Sequence, residues 1–178
     1  MSSRLKLAGL VAAAGVIGVI GVAIASGGSG QIRENLTGYE ETPLTLSTPG
    51  EGEFRAHVDR RNEEIDWELS YANLESAVTQ AHIHLGAPAI TGGISVFLCT
   101  NLGNGPAGTQ ACPPQPAEIE GTITAVDVIG PTGQGIAVGE FDELVDAIRA
   151  GATYANVHTE NRQGGEIRAQ IEVNRGRD

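Results

Sequence analysis

An apolar residue stands at every second position in segment after segment of this chain, and that period limits what it can fold into. Across residues 53–59, Phe54, Ala56 and Val58 alternate with Glu53, Arg55, His57 and Asp59. Across 65–71, Ile65, Trp67, Leu69 and Tyr71 alternate with Asp66, Glu68 and Ser70. Side chains on a strand point to opposite faces in turn, so each segment has one dry face and one wet face. Asp59, Arg60, Arg61 and Asn62 between them make a turn, and the pair is predicted as an antiparallel hairpin with Trp67 central in the core. Further strands are predicted at 31–38, 79–85, 93–99, 119–128, 153–159 and 166–173, the last two joined around 161–165. One segment has helical period: Phe141, Leu144, Val145 and Ile148 fall at i, i+3, i+4 and i+7. Acidic Glu140, Asp142 and Glu143 open it, Arg149 ends it, and Gly151 can cap it. Gly supplies 25 of 178 residues and aromatics only 4 %, which suits short strands and tight turns. The expected fold is all-β: an antiparallel Greek-key β-sandwich or flattened barrel of about seven or eight strands with one short helix.

A hydrophobic helix is expected ahead of this domain. Arg4 and Lys6 are followed by an uncharged stretch, residues 7–25. It reads as a signal peptide over 1–25, cleaved after Ala23-Ile24-Ala25, or as an uncleaved N-terminal membrane anchor. Residues 26–30 make a Gly/Ser spacer, 31–173 the domain, and 174–178 a tail. Either reading places the domain outside the cytoplasm, secreted or at the cell surface, with membrane contact only through residues 7–25. The formal net charge is −11, which disfavours nucleic acid and anionic lipid as partners. Cys99 and Cys112 flank a Gly-containing loop and, in an oxidising compartment, are expected to pair as a disulfide. A metal or redox pair is the alternative, though the spacing is not C-x-x-C. Asn35-Leu36-Thr37 is a glycosylation sequon, which makes Asn35 a candidate glycan site.

Few residues could carry chemistry. The chain has four histidines: His57, His82, His84 and His158. His82 and His84 are two apart in a predicted strand, so their imidazoles project to one side roughly 6–7 Å apart. A third imidazole from a neighbouring strand would complete a metal site, and His158 is the candidate, with Glu166 a conceivable fourth ligand. Such a site suits Zn²⁺ or Cu²⁺. The same spacing also serves a hydrogen-bonded polar pair on the face opposite Ala81, Ile83 and Leu85. No Ser sits in G-x-S-x-G, and Gly130 to Gly135 reads as a turn rather than a phosphate cradle.

The ordered segments Leu36-Thr37-Gly38 with Glu40, Glu41 and Pro43, then Gly50-Glu51-Gly52, then Ala81-His82-Ile83-His84-Leu85-Gly86 with Gly92-Gly93-Ile94, then Tyr154-Ala155-Asn156-Val157-His158-Thr159 with Gly165 to Ile171, resemble the CHRD (chordin-type) domain family. The resemblance covers about residues 31–173, and it implies a single-domain exported microbial member. Pro88 and Ala169 depart from the family pattern without touching the histidines. The H-x-H strand is also similar to the copper strand of Cu/Zn superoxide dismutases, but four histidines are too few for that dinuclear set. Two functions are carried forward. The first is a non-enzymatic extracytoplasmic binding or structural module for a protein or surface ligand. The second is a Zn- or Cu-binding, or metal-dependent redox, protein using His82, His84 and His158.

Overall fold

The computed structural model of the protein describes residues 30–173. The segment 1–25 expected to be a signal peptide or membrane anchor, most of the expected spacer and the tail at 174–178 lie outside the described residues. Eight strands follow in chain order: β1 (Gly30–Thr37), β2 (Glu51–Asp59), β3 (Glu64–Ala72), β4 (Val78–Leu85), β5 (Gly93–Thr100), β6 (Ala117–Ile123), then helix α1 (Phe141–Arg149), β7 (Thr153–Thr159) and β8 (Ile167–Ile171). All pairings are antiparallel, in the order β5-β4-β7-β8-β1-β2-β3-β6. This is the expected all-β fold, one sheet curled into a flattened, nearly closed barrel.

The sheet has two halves with a thin junction. β8 and β1 share a single paired position, Thr37 with Arg168. The amides of Gln170 and Glu172 instead donate to the carboxylates of Glu40 and Glu34, at 3.0 and 3.2 Å. Side chains thus satisfy backbone groups that a continuous ladder would have paired. On the other side, the loop after β5 spans the gap to β6. Thr100 N donates to Gln110 O, and Gln110 Nε2 donates to Glu120 O. Cys99 and Cys112 are bonded across the base of this loop, Cα to Cα 5.1 Å, with both residues buried. Asn101 holds the loop further, donating to Val78 O and Cys112 O and accepting from Cys112 N.

The expected hairpin β2–β3 forms, with Phe54 opposite Leu69 and Ala56 opposite Trp67. Asp59 closes its turn by accepting from the amides of Arg61 and Asn62. Trp67 is buried against Gly121 on β6, where a Cβ would come within 2.8 Å of the indole. The missing side chain is what lets the indole lie against the strand. α1 buries Phe141, Leu144, Val145 and Ile148 in the same core, and Gly151, at φ +66°, ends it. β6 stops at Ile123, five residues short of the expected 128. Asp127 accepts from the amide and hydroxyl of Thr124, which turns the chain into a 3₁₀ turn at Ala125–Asp127. Among the described residues no helix is long and apolar enough to cross a membrane.

Candidate metal centre

Strand alternation in the β5-β4-β7-β8 half sends Ala81, Ile83, Ala155, Val157, Ile167 and Ala169 to the core. The opposite face then receives His82 and His84 from β4, Tyr154, Asn156 and His158 from β7, and Arg168 from β8. Register sets His82 opposite Asn156, His84 opposite Tyr154, and Asn156 opposite Arg168. This polar face is covered as well: His82 is 0 % exposed, His84 7 %, His158 6 % and Asn156 3 %. Three loops cover it. Thr42 accepts from Arg168 Nη1 at 2.5 Å, Gly92 O meets His84 Nδ1 at 3.0 Å, and Gln163 O meets His158 Nδ1 at 2.9 Å.

The three expected imidazoles are brought together. Ring centroids are 5.3 Å apart for His82 and His84, 5.0 Å for His82 and His158, and 6.0 Å for His84 and His158. One ring nitrogen from each lies within 4.8 Å of the others. His82 Nδ1 and His158 Nε2 are 3.1 Å apart.

The tautomers follow from the partners. A carbonyl oxygen can only accept, so Nδ1 of His84 and Nδ1 of His158 carry protons and donate to Gly92 O and Gln163 O. Their Nε2 atoms are therefore lone pairs. His158 Nε2 accepts from His82 Nδ1, which leaves His82 Nε2 a lone pair too. Among the described residues, His82 Nε2 and His84 Nε2 are buried with no protein hydrogen-bond partner. Histidines that bind metals commonly donate their outer nitrogen to a backbone carbonyl in this way, which fixes ring and tautomer. Burial, then repulsion from His158 and His84, pushes the His82 pKa down to about 2. Burial takes His84 to about 4, and it lowers His158 as well. All three are neutral at pH 7, the form that binds metals.

The surroundings of the rings were not legible as site residues. Tyr154 stacks on His84, centroids 4.8 Å apart and planes 1° from parallel, while the Arg168 guanidinium lies 3.6 Å from the Tyr154 centroid. Phe97 packs edge-on to His82 at 4.3 Å. Asn156 Nδ2 donates to Glu41 Oε1, which is itself buried. Desolvation raises Glu41 to about 7, against the opposing effects of Asn156, the Thr42 amide and Arg168. The available signal was the period of two through Tyr154, Asn156 and His158. Glu166, considered as a fourth ligand, is engaged elsewhere: Thr48, Thr159 and the Glu75 amide all donate to its carboxylate. His57 lies on β2, 2.8 Å from Gln31 Nε2 and apart from the cluster. Asn35 is exposed within β1, paired with Glu53.

No curated protein and no solved structure matches the chain. A family model does match, over residues 32–171, from the first buried residue of β1 beyond its opening glycine to the last residue of β8. With all three clustered histidines inside that match, the chain belongs to the family of CHRD domains.

Proposed function

We propose that this domain is a non-enzymatic extracytoplasmic binding module whose ligand is a single Zn²⁺ or Cu²⁺ ion held by His82, His84 and His158. CHRD domains occur in extracellular proteins. The export segment read at residues 1–25 and the Cys99–Cys112 bond support the same compartment. One observation carries the metal: three neutral imidazoles share a buried face, and two of them present ring nitrogens with no partner. A buried polar group without a hydrogen bond costs about 1–3 kcal/mol, and a shared ion satisfies several such groups at once. Imidazole-only donation suits Zn²⁺ and Cu²⁺. Among the described residues no hydroxyl or thiol hydrogen-bonds to these rings, so a nucleophile–base reading finds no support.

The test is metal content. Full-length protein purified without a polyhistidine tag, stripped and then offered Zn²⁺ or Cu²⁺ at neutral pH, is expected to retain one ion per chain. His84→Ala and His158→Ala are each expected to bind more than 100-fold more weakly and to shed the ion on desalting, while remaining folded. Folded wild-type protein that retains no ion contradicts the proposal.

A further inference from the structure

Resting on the three-histidine reading, we infer that the carboxamide oxygen of Asn156 is a fourth, protein-supplied donor to that ion, and that Glu41 orients it. Asn156 stands on β7 two residues from His158 and therefore on the same face, directly opposite His82 on β4. Its amide nitrogen is taken by Glu41 Oε1 at 3.4 Å. That bond turns Oδ1 away from the carboxylate, and Oδ1 is buried with no protein partner among the described residues. The amide lies against His84 closely enough to favour its charged form, yet no hydrogen bond of normal geometry joins them. The chemistry explains why. His84 Nδ1 donates to Gly92 O, so its Nε2 is an acceptor. Asn156 Oδ1 is an acceptor as well. Two buried acceptors beside each other lack the positive charge that would reconcile them. A cation among them supplies it.

The backbone is shaped around this pair. Gly165 adopts φ +124°, and a side chain there would overlap both the Asn156 amide nitrogen and the Glu41 carboxylate. Glycine lets the loop after β7 close over Glu41 and Asn156 and hold the amide in one orientation. A flipped amide is the rival arrangement. Its nitrogen would then donate to His84 Nε2, and Asn156 would be a hydrogen-bonding clamp rather than a ligand. Three imidazoles plus Asn156 make a closed shell, which suits storage or structural use of the ion, whereas three imidazoles alone leave a position open for an outside ligand.

Co²⁺ is the probe, since its visible bands report coordination number and donor set. Full-length wild type is expected to bind one Co²⁺ with four-coordinate bands that added azide leaves unchanged. Asn156→Ala is expected to bind at least 10-fold more weakly, with shifted bands and a new response to azide. Glu41→Gln, nearly isosteric, keeps the test open should Asn156→Ala fail to fold. It is expected to weaken binding about 10-fold, because Gln can donate to Asn156 Oδ1 and turn the amide. Wild-type bands and wild-type azide response in Asn156→Ala overturn the ligand role, and unchanged affinity in Glu41→Gln overturns the orienting role. Folded wild type that binds no Co²⁺, Zn²⁺ or Cu²⁺ overturns the three-histidine reading as well, so the two failures are distinct.

Discussion

The two halves of the sheet use the same alternation for different ends. In β1-β2-β3-β6, one face is core and the other is water. Its outer face carries Arg33, Glu53, Arg55 and Glu68, paired across strands but with Arg33 and both members of the Arg55–Glu68 pair well exposed. In β5-β4-β7-β8, the outer face is roofed by loops. Every residue of β7 is buried, and its outward side chains are Tyr154, Asn156 and His158. A polar face under water needs no particular partners. A polar face under a roof needs a partner for each donor and acceptor, and among the described residues His82 Nε2 and His84 Nε2 have none. The fold therefore keeps one half as scaffold and gives the other a buried polar interior.

The two halves should differ most at the imidazoles. His158→Ala is expected to lower Zn²⁺ affinity more than 100-fold by competition with a chromophoric chelator, beyond the 10–100-fold loss of an orienting residue. An equal loss from His57→Ala, in the other half, would erase the distinction. The scaffold half should yield instead to packing. Trp67→Ala is expected to cost about 3–5 kcal/mol in chemical denaturation without altering metal stoichiometry. Reducing Cys99–Cys112 is expected to cost roughly 3 kcal/mol, since the bond closes a loop of about 14 residues. Its sulfurs lie in the core between the edge strands, so reduction should loosen the β5–β6 gap first, which hydrogen exchange would register.

Acid should sharpen the contrast further. In metal-free protein, His82, His84 and His158 have lowered pKa values, so the unfolded chain takes up their protons first. Their contribution is whole above about pH 6.5 and is lost as pH falls towards about 4 for His84 and about 2 for His82. Glu41 acts in the opposite sense. Raised from 4.5 to about 7, it favours the folded chain below 4.5 and loses that contribution as pH rises through 7. Three imidazoles outweigh one carboxyl below about pH 6, so the denaturation midpoint is expected to fall on acidification. Replacing His82 and His84 by Gln should flatten that slope. The smallest effect belongs to the wet face, where Arg33→Ala is expected to change stability by less than about 1 kcal/mol.

The scaffold half was legible because its outer face meets water. Charged residues between Phe54, Ala56 and Val58, and between Ile65, Trp67 and Leu69, announce the strands directly. The clustering of His82 and His84 was legible from their spacing, and His158 from being a histidine on another predicted strand. The roof was not. Thr, Asn and Arg on a second face look the same in sequence whether water or a loop lies over them. Glu41 and Asn156 meet across 115 positions, a contact no local pattern records. The early end of β6 was readable in principle from Thr124 and Asp127, three apart, a capping pattern within a stretch whose apolar residues suggested more strand.

The central claim is that the roofed face holds one metal ion on three imidazoles. X-ray absorption on full-length protein loaded with one equivalent of Zn²⁺ tests it most directly. A three-imidazole site gives a nitrogen- and oxygen-only shell of about four donors at about 2.0–2.1 Å, with the outer scattering of three imidazole rings that drops to two in His84→Ala. A shell of oxygens alone, or one unaltered by His84→Ala, would contradict it.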